Sequence, residues 1–161
     1  MRLLVTFLFG AVFGAAGGVA LGFFLFPFVF PPPPATEELR AVQTDKIAEG
    51  TFIHANPSDP IHYGSGGVSV YSDTVFLHED FEVGPGPNYH VYLVPKANIR
   101  SSSDLGSAMY VDLGQLRAFK GSQNYTIPAG LDLNDFASVI IWCERFSVLI
   151  SPADLTFETG S

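Results

Sequence analysis

One cysteine and four histidines carry most of the chemical reach of this 161-residue sequence. Cys143 sits in the run Val139-Ile140-Ile141-Trp142-Cys143-Glu144-Arg145-Phe146, which is rich in β-branched and aromatic residues. In a regular strand Trp142 and Cys143 point to opposite faces, and Arg145 returns to the Cys143 side. A guanidinium there favours the thiolate, the form of cysteine that attacks electrophiles and binds metals. Cys143 is therefore the candidate redox thiol and Arg145 the candidate thiolate stabiliser, while Glu144 should point away. The competing reading is a packed, inert cysteine, since free cysteine is among the most buried residue types. With no second cysteine the chain forms no internal disulfide. A working thiol must then cycle through a sulfenic acid, a mixed disulfide or a metal thiolate.

The histidines are His54, His62, His78 and His90. Imidazole suits copper, zinc or haem iron. None lies two to four residues from another, so any chelate has to be assembled by separate strands. His90 alternates in phase with Tyr92 and Val94, and His78 with Phe76 and Thr74. His90 and His78 are thus the metal candidates, with His90 the favoured helper of Cys143 as base or co-ligand; ordinary half-buried strand histidines are the alternative. Met109, the only methionine beyond Met1, could complete a His–Met haem pair, but no spacing indicates haem or copper. Gly64-Ser65-Gly66-Gly67 lacks the lysine and the helix of a phosphate cradle and reads as a turn. No nucleophile elbow and no HExxH helix occurs. Glu79-Asp80 reads as a solvated rim, and Asn124-Tyr125-Thr126 has the glycosylation pattern inside a strand-like run.

The elements around these residues are strands. Thr51–His54, Val68–Tyr71, Thr74–His78, His90–Val94, Tyr110–Leu113, Gln123–Ile127, Ser138–Trp142 and Phe146–Ile150 make about eight short β-prone runs. Asn56-Pro57, Asp59-Pro60 and Gly84-Pro85-Gly86-Pro87 punctuate them, and Ser72-Asp73 joins a hairpin. The pattern predicts a mainly β domain, an antiparallel β-sandwich, over residues 47–161. Ile140, Trp142, Phe146 and Val148 share a phase and are its expected core, unless the phase slips at Glu144-Arg145.

The start of the chain is different. Leu3 to Phe26, 24 residues, carries no charge. A bilayer core needs about 20 apolar residues as helix, and a secretory signal has a shorter apolar region of roughly 7–15. The run ends in bulky aromatics and Pro31–Pro34, a poor peptidase site. Residues 1–30 therefore read as an uncleaved transmembrane anchor. Arg2 before the span and Glu37 and Glu38 after it place the N-terminus in the cytoplasm and the domain outside, periplasmic or extracellular. Gly10, Gly14, Gly18 and Gly22 recur on one helix face, a zipper through which a second copy or a partner helix could pack. Residues 31–46 read as a Pro-rich stalk, with Thr36 capping a short helix over Glu37 to Asp45. Sixteen acids against eight bases give a net charge of −8. That balance argues against nucleic-acid binding, and the aromatic content argues against disorder.

Several segments together resemble the DM-thirteen domain family. They are Gly50-Thr51-Phe52-Ile53, His62-Tyr63-Gly64-Ser65-Gly66, Leu77-His78-Glu79-Asp80-Phe81, Gly86-Pro87-Asn88-Tyr89-His90-Val91-Tyr92-Leu93, the run Gly121 to Gly130, and Val139 to Val148. The resemblance covers roughly residues 47–155 in order. It implies a β-sandwich related to DOMON-type cytochrome domains, in bacterial membrane-anchored or animal extracellular proteins. It also implies a redox role in electron transfer for the cysteine that matches Cys143. An extracytoplasmic binding or adhesion module is the other function class that the sequence leaves open.

Overall fold

The computed structural model describes residues 2–42, 45–106 and 108–158. Helix α1 spans Arg2–Val29 and contains Pro27. It includes one stretch, Arg2–Phe23, long and apolar enough to cross a membrane. Proline lacks the amide hydrogen a helix interior needs, so the helix runs only two residues past Pro27 and does not extend into Pro31–Pro34. The strands that follow are β1 (Ala35–Thr36), β2 (Ala48–Thr51), β3 (Gly64–Ser65), β4 (Gly67–Val70), β5 (Thr74–Leu77), β6 (Glu82–Val83) and β7 (Tyr89–Val94). A one-turn helix α2 (Ser102–Leu105) precedes β8 (Val111–Gln115), β9 (Gly121–Thr126), β10 (Ser138–Cys143) and β11 (Val148–Phe157).

Nine of these strands form one curled sheet in the order β1-β9-β5-β4-β2-β11-β10-β7-β8, and β3 pairs with β6 separately. Every pairing is antiparallel except β1 with β9. The ten-residue β11 is the seam: Val148–Asp154 pairs with β10 and Leu155–Phe157 with β2. The sheet folds over at β11, so its two halves face one another as a sandwich. Val68, Val75, Leu77 and Tyr125 of one half meet Val91, Leu93, Val139, Ile141 and Cys143 of the other in the main core. The mainly β architecture is the expected one. Among the described residues the strands number eleven rather than about eight because three two-residue strands, β1, β3 and β6, carry no recognisable apolar run.

Strand β10 is buried along its whole length. Val139, Ile141 and Cys143 face the main core. Ile140 and Trp142 face a second cluster with Tyr92, Val94, Ile99, Leu105 and Leu149, which α2 and its flanking loops cover. A strand buried on both faces needs a continuous apolar run, and Val139 to Cys143 supply one, while the buried Ser138 hydroxyl donates to the Lys96 carbonyl. Trp142 and Cys143 do point to opposite faces, but neither face is solvent.

Three expectations shift. Phe146 is 46% exposed rather than in the core, because Glu144–Ser147 is the β10–β11 turn and not strand. Ser147 takes a left-handed φ of 52° there. The turn resets the phase, so Val148 packs against the main core while Trp142 sits in the second cluster. Thr36 caps no helix: it pairs with Ser122 in β1, and Glu37–Val42 is irregular. Of the helix expected over Glu37–Asp45, Gln43 and Thr44 lie outside the described residues. Glu37 explains the competition. Its carboxylate accepts from Arg117 at 2.8 Å and from the Asn124 backbone at 3.0 Å. Burial opposes the charge, but those bonds outweigh it and hold the Glu37 carboxyl below its usual range. Finally, the strand expected at Thr51–His54 ends at Thr51, with β2 lying upstream of it.

Candidate functional site

Cys143 closes β10. Its partner on β7 is Tyr89, while the neighbouring pair Trp142–His90 faces the other way. Cys143 is 2% exposed, and its S–H donates to the Pro87 carbonyl at 3.3 Å. Pro87 ends the Gly84–Pro87 turn, which lies directly over Tyr89. A side chain at Gly86 would put its Cβ 2.1 Å from the Tyr89 hydroxyl, so only glycine allows this approach. Burial pushes the Tyr89 hydroxyl well above its ordinary value and keeps it neutral.

Beside the thiol lies a pocket of about 240 Å³ whose walls include Phe28, Ile61, His62, Tyr89, Cys143 and Phe146. His62 is brought there by its own local sequence. In Asp59-Pro60-Ile61-His62 one Asp59 oxygen accepts the backbone N–H of Ile61 at 2.9 Å and of His62 at 3.1 Å. The other lies 2.6 Å from His62 Nδ1. These bonds, that from the His62 ring first, hold the Asp59 carboxyl down at about 2. An ionised carboxylate only accepts, so Nδ1 carries the proton and Nε2 is the ring's other face. A thiol and an imidazole oriented by a carboxylate therefore share one pocket. Nucleophile, base and orienting group are the parts covalent catalysis uses when the base reaches the nucleophile; here the thiol's hydrogen bond goes to Pro87.

The other candidates fall as follows. Arg145 is in the exposed β10–β11 turn, its guanidinium 5.5 Å from the centre of the Phe23 ring of α1. His90 faces away from Cys143 and is not its helper; its Nδ1 lies 2.9 Å from Asp112, and Glu144 is close by. His78 belongs to the other half of the sheet, its Nε2 2.8 Å from Ser69 Oγ, so it joins neither His90 nor the thiol. Met109 is 83% exposed, and it lines neither the thiol pocket nor the His90 cluster. At Gly10, Gly14, Gly18 and Gly22 an added Cβ would meet nothing within 4 Å. The Asn124 amide donates to the Glu38 carbonyl at 2.8 Å and also reaches Glu37. Asp59 and His62 were not singled out from the sequence, although Asp at i with His at i+3 across a proline is a recognisable Asx-turn signal.

Fold and site together define a class: an antiparallel β-sandwich domain, preceded by an apolar helix, with a thiol and an oriented histidine at one end of its central strand. Within that class the chain belongs to the DM13 electron-transfer domain family, whose family model matches residues 57–155. The match takes in Asp59, His62, His90, Asp112, Cys143 and Glu144, and it begins after β2. No curated protein and no solved structure matches the chain.

Proposed function

We propose that this chain is a membrane-anchored, extracytoplasmic redox domain that works through thiol–disulfide chemistry at Cys143. Residues 1–30 form the anchor, 31–46 the linker and 47–161 the domain. The observation that carries the reading is the shared pocket of Cys143 and the Asp59-oriented His62; membership of an electron-transfer family supports it. In this scheme His62 takes the proton from Sγ. The thiolate attacks one sulfur of a partner disulfide, and the S–S bond breaks. The leaving thiolate takes the proton back from the imidazolium and departs as a thiol. Cys143 is then held in a mixed disulfide. A thiol other than the one just released must resolve it, forming a new disulfide with the attached sulfur and returning Cys143 to the thiol, because the chain has no other cysteine.

The anchor reading rests on α1 and its length, uncharged after Arg2. Arg2 before it and the acidic domain after it support an inside N-terminus. The open glycine face supports packing against a second copy or a partner helix. Protease added to intact cells should remove the domain, and protection until the membrane is breached would reverse the topology.

A non-catalytic binding or adhesion module is favoured by one observation: the near-complete burial of Cys143 with its hydrogen bonded to Pro87. Dithiodipyridine separates the two, because each mixed disulfide releases one coloured thiopyridone. One equivalent released from the folded chain and none from Cys143→Ser supports the redox reading. Release only on unfolding leaves the binding module.

A further inference from the structure

On the face of the sheet opposite the thiol, a second group of side chains converges. His90 lies on β7, Asp112 on β8 and Glu144 just past β10. A His90 ring nitrogen and one oxygen of each carboxylate all lie within 4.8 Å of one another. Three local features put them there. His90 lies on the face opposite the thiol because it pairs with Trp142 rather than Cys143, and its side chain is 20% exposed there, at the margin of the second cluster. Asp112 is carried towards it by a bulge: between His90–Gln115 and Tyr92–Asp112 strand β8 has one residue more than β7. Gly114, with a left-handed φ of 117°, makes that bulge, and its N–H donates to Asp112 Oδ1 at 2.8 Å. Glu144 is held by its backbone N–H on Asn88 O at 3.1 Å and by the hydroxyl of the fully buried Tyr92 on its Oε1.

We propose that His90, Asp112 and Glu144 bind a divalent transition-metal ion. Three arguments converge. First, the donor set of one imidazole nitrogen and two carboxylate oxygens suits a borderline ion, with copper(II) bound more tightly than zinc(II). Second, the charge is uncompensated: among the described residues no lysine or arginine pairs with either carboxylate, and the only ionic partner is His90 itself. Third, the donors are oriented from behind. Tyr92 fixes Glu144 and Gly114 fixes Asp112, the outer-shell support that metal ligands characteristically have. Donors around a tetrahedral ion lie about 3.4 Å apart. Closing the group from 4.8 Å falls on the two exposed carboxylates, each held from behind by one oxygen and able to pivot about it. Binding displaces the His90–Asp112 hydrogen bond and leaves a coordination position open to solvent or to an incoming ligand. This site uses none of the thiol pocket and stands whether or not Cys143 is reactive.

The test is titration of the full chain in detergent micelles with copper(II) and, separately, zinc(II), followed by calorimetry and by copper electron paramagnetic resonance. One equivalent of copper(II) should bind, with nitrogen hyperfine structure from a single imidazole. His90→Gln, Asp112→Asn and Glu144→Gln should each weaken binding at least about tenfold, and Tyr92→Phe by about tenfold through the outer shell. Circular dichroism identifies any variant that fails to fold; the near-isosteric Asp112→Asn and Glu144→Gln on the exposed face then decide. His54→Gln, His62→Gln and Cys143→Ser should bind as the unaltered chain does. Absence of a one-equivalent site, or a site that survives all three ligand substitutions, overturns the proposal. A site lost with Cys143→Ser instead moves the metal to the thiol pocket and also overturns it.

Discussion

Alkylation of Cys143 by iodoacetamide separates a working thiol from a packed one by orders of magnitude. A working thiol must be reached through the pocket mouth. Phe146 is already 46% exposed there, so entry needs the Phe146 and Phe28 rings to move and the S–H···O bond to Pro87 to break. Losing one such bond costs about 1 kcal/mol, or roughly fivefold in rate. The folded chain should then react within about tenfold of an unhindered cysteine peptide at the same pH. A packed thiol has no such route. Cys143 is hydrogen-bonded in register between Tyr89 and Val148 and faces the main core. Exposing it otherwise means parting β10 from its neighbours. A sub-global opening of about 4 kcal/mol would slow the reaction about a thousandfold. The assay is mass-spectrometric counting of adducts against time for the full chain in micelles, repeated across a denaturant series. His62→Ala should slow the reaction by at least about tenfold if the imidazole is the base. Phe146→Ala should speed it. A thousandfold slowing that tracks global unfolding, indifferent to His62, would refute the thiol mechanism and leave the binding module.

Trp142→Ala should destabilise the domain by about 3–5 kcal/mol, because the indole is buried in the second cluster and stacks with Tyr92 at 6.4 Å; chemical denaturation measures it, and a loss under 1 kcal/mol would show that the cluster does not need the ring. Asp59 is held at about 2 in the folded chain, so its share of stability is complete above the ordinary carboxylate value and drains away as pH falls towards 2. Asp59→Asn should flatten that acid limb of a pH–stability profile, and an unchanged profile would discount the His62 bond. Gly14→Ile with Gly18→Ile should lower helix association in a membrane two-hybrid assay by closing the groove; an unchanged signal would make the glycines ordinary membrane composition.

The parts of the fold that sequence reading found are those with local signatures. The β10 run is apolar from Val139 to Cys143, the β4–β5 hairpin has a polar turn, and α1 is uncharged after Arg2. What escaped depended on where the chain leaves regular structure. Phe146 looked like core because strict alternation was carried through Glu144-Arg145, where the structure has a turn. Thr36 looked like a helix cap because the acids after it suit a helix start, yet Glu37 is claimed by Arg117 and Asn124, more than 75 residues away. The site divides the same way. Cys143 and its opposition to Trp142 follow from period-two alternation. That His62 joins Cys143 while His90 does not is set by which face β7 and β10 share, and no spacing records that. Asp112 reaches His90 only through the extra residue at the Gly114 bulge.

Phe28, at the end of α1, forms part of the wall of the thiol pocket, and Arg145 rests over Phe23 one turn earlier. With α1 seated in a bilayer, the mouth of that pocket opens at the lipid headgroup layer and not towards bulk solvent. Traffic to Cys143 would then be two-dimensional. A partner carried in the same membrane would meet it by lateral diffusion, already at the right height, while a soluble protein of ordinary size would be fended off by the lipid surface. Lengthening the linker after Pro34 would lift the pocket clear and exchange one set of visitors for the other.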